Sequence, residues 1–401
     1  MTIGWIDFSN TQRQQIEAAL NRLTPRGTLD QLGFGQLRDG LANLLFPGTS
    51  TLHTRSVYLM IVPKLLRDIA AKPGKRGVRE IIQLLHKREA EAIGYLQANS
   101  AAENAYGIIG KAAGKSLKQK PSGAYWSAIK AYGLVDRVGS LRQFVARNLP
   151  YWRAGNAAAG FAALAEYQAP PPAGWLTEQR MQLAAEEVDF LRRQIYREHA
   201  TSLFATLLRV QEEREDAVGV DIGECQQVVD LSDLPGLEQH TGLLRHCRTY
   251  EYVCRSALLS YNTALRIKTG RTYEELSAGR EALYEAVATY QITPTDVSSL
   301  LATFPASDRP TARFLQHWSG RLFERTDHSR QALAEIEERE YRMKGSRANL
   351  KDLSRAEALA PGATAGMSVQ NGEVQPVFSY RWPTVKGHLH DLQPLNPSVY
   401  A

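Results

Sequence analysis

Apolar positions recur along most of this chain at three- and four-residue intervals, the spacing that puts them on one face of an α-helix. Ser9 and Gln12 form a capping-box pattern ahead of Ile16, Leu20 and Leu23, and Thr24-Pro25-Arg26-Gly27-Thr28 ends that helix. The spacing predicts a second helix over Asp30–Phe46, with Leu37, Leu41, Leu44 and Leu45 turned inward, and a third over Thr54–Ala71, which Pro63 should kink or divide. Further helices are expected over Val78–Gln97 (core positions Ile81, Leu85, Ile93 and Leu96), Ser122–Tyr132 and Leu141–Leu149. Beyond them the pattern predicts Glu178–Tyr196, Ser202–Val210, Tyr252–Ile267, Tyr273–Tyr290, Thr295–Leu301, Pro310–Phe323 and Ser329–Met343. Alternation suits a strand at only two places, Gly4–Phe8 and Val377–Tyr380. The expected fold class is therefore mainly α and multi-helical, with minor β at the termini.

The linker-like tract Gln168-Ala169-Pro170-Pro171-Pro172-Ala173-Gly174 divides this pattern. It suggests an N-terminal helical domain over residues 1–165, an acidic helical domain over 175–360 and an irregular tail over 361–401, rich in Gly, Pro and Val. No internal repeat is visible.

Charge sharpens the division. The chain of 401 residues carries a formal net charge of +6. Residues 51–153 hold 18 Lys and Arg against 6 Asp and Glu, so this quarter of the chain carries +12 and the remainder −6. A concentration of one sign creates a field that favours a polyanion. Three cysteines, an odd and sparse number, do not suit a disulfide scaffold and fit a reducing compartment. No apolar run approaches the roughly 18 residues that span a bilayer, and the first residues lack a basic leader. The expected setting is cytoplasmic, without a membrane partner.

Known chemical motifs fit poorly. Gly110-Lys111-Ala112-Ala113-Gly114-Lys115-Ser116 ends like a phosphate-binding loop, but Gly110 and Gly114 are separated by one residue too few and no strand precedes them. Its lysines are better suited to touching phosphate oxygens directly. With the helix that follows, they suggest a helix-turn-helix-like unit in the N-terminal half, in which Lys75, Arg76, Lys111, Lys115, Lys118, Lys120 and Lys130 hold a DNA backbone. Tyr125 and Trp126 on that helix are expected in the core. Neither His388-Leu389-His390-Asp391 nor the group His240, His246, Cys247 and Cys254 has the ligand spacing of a zinc module, so neither a metal nor a cofactor is expected. There is no Gly-x-Ser-x-Gly elbow, no His-Glu-x-x-His and no strand pair suited to a nuclease core. The best polar constellation is Thr49, Ser50, Thr51, His53 and Arg55 after Pro47-Gly48. It is either an anion or partner site, or, the reading favoured by capping, a helix cap with a structural arginine.

Gly4-Trp5-Ile6-Asp7-Phe8-Ser9, Leu45-Phe46-Pro47-Gly48-Thr49-Ser50-Thr51 with Thr54-Arg55, Tyr125-Trp126 and Tyr380-Arg381-Trp382-Pro383 resemble an uncharacterised bacterial family of unknown function along almost the whole chain. That family has no assigned activity from which a site could be transferred. The resemblance implies a place among bacterial genes for defence against phage and foreign DNA. Three classes of function follow. The first is a non-catalytic DNA-binding or adaptor subunit of a defence complex, with other subunits as partners. The second is a nuclease or other DNA-processing enzyme whose acids are scattered. The third is a protein–protein scaffold that binds no nucleic acid.

Overall fold

The computed structural model describes residues 30–111, 120–137, 139–167, 174–213, 225, 227–304, 309–359, 369–370, 373–374 and 378–393. Fifteen α-helices run through these residues. They are α1 (Gly35–Leu45), α2 (Tyr58–Ala71), α3 (Val78–Asn99), α4 (Pro121–Ala131) and α5 (Leu141–Arg153), then α6 (Ala162–Tyr167), α7 (Ala185–His199) and α8 (Leu203–Glu213). After them come α9 (Thr241–Lys268), α10 (Glu274–Thr289), α11 (Pro294–Ala302), α12 (Arg309–Phe323), α13 (Arg330–Lys344), α14 (Leu353–Leu359) and α15 (Trp382–Asp391). The chain is mainly α, and no described helix is long and apolar enough to cross a membrane.

The packing divides the chain into two discontinuous units. The first comprises residues 1–42 and 225–380, the second 43–224 and 381–401. The proline tract at 168–174 lies, except for Gly174, outside the described residues, and the described chain on either side of it belongs to the second unit. Groups on its two sides bind each other there: Asn99 Nδ2 donates to the Thr177 carbonyl at 2.7 Å, and Lys64 of α2 pairs with Glu187 of α7.

In the second unit α2 is the central element. Its residues from Tyr58 to Arg67 are all buried, and it packs on α3, α4 and α5. Pro63 does not divide this helix. It sits within the second turn, so only the Leu59 carbonyl, four residues back, loses an amide partner. The buried Arg67 answers the Leu164 carbonyl at 3.1 Å. Helix α5 opens with a full capping box at Ser140 and Gln143. It closes with a left-handed Gly155 (φ 91°), where Asn156 N donates to the Tyr151 carbonyl and Gly155 N to the Trp152 carbonyl.

In the first unit α9 plays the central part, packed by α10, α11, α12, α13 and α14. Many of its buried residues are polar, which is tolerable only where each group finds a partner. Asp327, fully buried, accepts from Ser256 Oγ at 2.5 Å, from Arg280 Nη1 at 2.7 Å and from the Tyr284 hydroxyl. Glu340, also fully buried, accepts from the Tyr261 hydroxyl at 3.0 Å and from the amides of Asn349 and Leu350 at 3.0 and 2.9 Å. The three cysteines are buried.

The C-terminal region departs from an irregular tail. Trp382–Asp391 forms α15, with Pro383 in its first turn and Trp382, Val385, His388 and Leu389 buried. Residues 378–380 are not a strand. The strands among the described residues are a two-residue antiparallel pair, Val369–Gln370 with Glu373–Val374. The strand expected at Gly4–Phe8 lies outside the described residues.

Candidate nucleic-acid interface

Two polar groupings stand out in the second unit, one sealed and one open. The sealed one joins the residues at 49–56 to α15. Thr49 Oγ1 donates to the Phe46 carbonyl at 2.7 Å, and its own carbonyl accepts from Arg381 Nη1 at 2.8 Å. Ser50 Oγ accepts from Leu52 N at 3.3 Å, and Thr51 is exposed. The Tyr125 hydroxyl accepts from the amides of Thr54 and Arg55 at 2.7 and 3.0 Å and donates to the Arg55 carbonyl at 2.9 Å. The Arg55 side chain is 2% exposed. Its Nε donates to Asp391 Oδ1 at 2.7 Å, its Nη1 reaches the Asn104 carbonyl at 3.1 Å, and the guanidinium lies 4.2 Å from the centre of the Tyr106 ring. Asp391 Oδ2 accepts from Ser56 N at 2.6 Å.

A chain of hydrogen bonds completes the cluster. Ser56 Oγ is 2.7 Å from His388 Nδ1, His388 Nε2 is 3.3 Å from His53 Nδ1, and His53 Nε2 is 3.2 Å from the Ala124 carbonyl. A carbonyl only accepts, so His53 carries its proton on Nε2 and accepts at Nδ1. His388 must then donate from Nε2, which leaves its Nδ1 to accept from the Ser56 hydroxyl. One proton per link satisfies every atom with both rings neutral. Burial, then the neighbouring His388, push His53 down to about 3, and burial pushes His388 down to about 4. A serine beside a histidine has the outline of an activated nucleophile. Here Ser56 is fully buried, and Asp391 engages Ser56 N and Arg55. The cluster ties α15 to the loop before α2.

The open grouping lies where the turn between α2 and α3 meets the end of α5. A cavity of about 670 Å³ opens there, with Ala71, Pro73 and Trp152 along its apolar side and Lys75 and Arg153 on its rim. Arg153 Nη2 donates to the carbonyls of Lys75 and Arg76 at 3.4 and 2.9 Å, which seats its guanidinium on the backbone of the turn that carries both cations. Arg76 Nη1 reaches back to the Pro73 carbonyl at 3.3 Å. Lys72, Lys75, Arg76, Arg79 and Arg153 are all exposed, and none forms a salt bridge among the described residues. Tyr151, one residue before Trp152, is 56% exposed.

The remaining lysines singled out in the sequence are spread elsewhere. Lys111 is exposed, with its Nζ 3.4 Å from the Ala105 carbonyl. Lys120 is the N-cap residue just before α4, near Glu89, whose carboxyl burial raises to about 7. Lys130 Nζ donates to the Gly139 carbonyl at 2.7 Å. Lys115 and Lys118 lie outside the described residues. Helix α4 buries Pro121, Ser122, Ala124, Tyr125, Trp126, Ala128 and Ile129, so it is a core helix and has little surface with which to enter a groove. Among the described residues no group of three or more His, Cys, Asp or Glu is placed to hold a metal ion. Arg153 was not singled out in the sequence; no local motif marks it, and only the fold brings it to the turn.

Residues 1–282 match the family of unknown function DUF6361, and the chain belongs to that family. No curated protein and no solved structure matches the chain.

Proposed function

We propose that this member of a family of unknown function is a non-catalytic DNA-binding or adaptor subunit of a bacterial defence complex, and that its second unit holds the phosphate backbone. The observation that supports the proposal is a concave pocket lined by Lys75 and Arg153, next to the exposed Arg76, with no carboxylate paired to any of the three among the described residues. Exposed cations left unpaired by the fold suit phosphate, because each phosphate they neutralise releases a condensed counterion and the gain needs no base-specific geometry. The exposed Tyr151 beside the rim offers a ring on which an unpaired base can stack. Arginine and lysine on backbone oxygens read no sequence, so binding is expected to be weakly selective.

The test is binding of labelled duplex and single-stranded DNA over a salt series, with and without magnesium. Binding should weaken steeply with salt, and no strand should be cut. Replacing Lys75, Arg76 and Arg153 together by alanine should flatten the plot of log affinity against log salt by roughly 0.9 for each duplex phosphate that is no longer neutralised. Equal affinity and slope in that variant would remove this surface from the proposal.

A further inference from the structure

The first unit contains a second cavity, of about 410 Å³, unrelated to the basic rim. Its size is within the range of small-molecule sites. One wall is a single face of α9, where Arg248, Glu251, Tyr252 and Arg255 follow at helical spacing. The opposite wall is α10, which contributes Ala282, Leu283 and Ala286. Tyr290 follows α10, and the turn around Val229 and Asp230 closes a third side.

The charges in this cavity are not equivalent. Glu251 is engaged at both oxygens: Oε1 pairs with Arg255 Nη2 at 2.7 Å and Oε2 accepts from Phe378 N at 3.1 Å. Asp230 is turned on its own turn, with Oδ2 2.8 Å from Gln227 N. Arg248 has no carboxylate within ion-pair distance among the described residues. Its Nη2 donates to the Val229 carbonyl and to Ser232 Oγ at 3.0 and 3.1 Å, and its Nε is buried with no hydrogen-bond partner. The same guanidinium lies 3.8 Å from the centre of the Tyr290 ring, and the Tyr290 and Tyr252 rings are 6.2 Å apart. Burial raises the Tyr252 hydroxyl to about 12, so at neutral pH it is a donor.

A fixed guanidinium without a carboxylate partner among the described residues, two tyrosine rings and a floor of alanine and leucine complement a flat ring bearing an acid. We propose that this cavity binds a small aromatic anion the size of a nucleoside monophosphate, with its phosphate or carboxylate on Arg248 and its ring against Tyr252, Tyr290 and the α10 wall. The acid would pair with the guanidinium, which has no carboxylate partner among the described residues, and the ring would displace water from an apolar surface.

Ligand-observed NMR on the full chain tests this with four probes: adenosine monophosphate, adenosine, inorganic phosphate and 4-hydroxybenzoate. Adenosine monophosphate or 4-hydroxybenzoate should bind, and the one that binds identifies phosphate or carboxylate as the acid. Adenosine and phosphate should each bind at least 10-fold more weakly. Arg248→Ala should reduce affinity at least 10-fold. Ala286→Phe, which fills the cavity and removes no charge, should abolish binding while leaving DNA binding by the second unit unchanged. No binding of either aromatic anion at millimolar concentration would overturn the proposal. So would phosphate alone binding as well as the nucleotide, or affinity unchanged in a folded Ala286→Phe chain.

Discussion

The sealed cluster around Arg55 and the open rim around Arg153 are built from the same kinds of residue, yet they treat charge in opposite ways. Arg55 has a carboxylate, a backbone carbonyl and an aromatic face, all within a buried volume. Arg153 has two carbonyls and solvent. In the first case the protein answers the charge itself, because an unanswered charge in the interior costs several kcal/mol. In the second water answers it, and an incoming phosphate can take the place of that water. Polar richness in a sequence therefore does not mark function; what matters is whether the fold uses up the charge.

The largest effect should come from breaking the sealed ion pair. Asp391→Ala leaves the Arg55 guanidinium buried without its carboxylate and frees Ser56 N. Removing one partner of a buried pair costs about 3–5 kcal/mol, to be read from denaturant unfolding followed by tryptophan fluorescence. The double change Arg55→Met with Asp391→Leu should cost less than either single change, since no lone charge remains. If the double variant were the least stable of the three, Arg55 and Asp391 would contribute something beyond their mutual neutralisation.

Next in size is a pH dependence. His53 and His388 titrate near 3 and 4 in the folded chain but near 6.5 when unfolded. Between these values the unfolded state binds more protons, so stability is complete above about pH 6.5 and falls as the pH drops. The expected slope is about 1.4 kcal/mol per pH unit for each histidine. Glu89 works against it. Its carboxyl, raised to about 7, holds a proton in the folded chain when the unfolded one has lost it, so its contribution declines as the pH rises from 4.5 to 7. Unfolding midpoints from pH 4 to 7 should therefore rise in the wild type, more gently in His53→Gln and more steeply in Glu89→Gln. A flat profile common to all three would mean that these groups do not titrate as their burial requires.

The legibility of the molecule follows the same contrast. Helices with one apolar stripe, such as α3 with Ile81, Leu85, Ile93 and Leu96, could be read from spacing because one side meets water. Helix α9 starts eleven residues before the position its apolar spacing predicts. It is buried with Thr249, Glu251, Arg255, Ser256 and Ser260 among its core residues, so no stripe separates inside from outside. Helix α15 carried a usable signal, Trp382, Val385 and Leu389 at helical spacing, hidden by Pro383, Gly387 and two histidines. The constellations at Thr49–Arg55 and His388–Asp391 were both visible as polar clusters. That they form one cluster was not, because more than 300 residues separate them and pairing at that range depends on tertiary packing. In the basic quarter the excess charge was legible, but its focus was not: Arg153 meets Lys75 and Arg76 only through the packing of α5 on α2 and α3.

The smallest effect on the fold, and the sharpest test of the contrast, is expected at the rim. Alanine at Lys75, Arg76 and Arg153 breaks no ion pair with a carboxylate, leaves no buried group unpaired and opens no cavity in the core, so the unfolding midpoint should stay at the wild-type value. DNA affinity should nevertheless fall, and most at low salt, where counterion release contributes most. Lys111→Ala with Lys120→Ala serves as the control, because it removes charge of the same sign from positions away from the rim. A smaller reduction in affinity per charge removed in this control would locate binding at the turn that Arg153 holds. An equal reduction per charge removed would assign DNA binding to the diffuse positive field of the whole region, with the concave rim contributing nothing of its own.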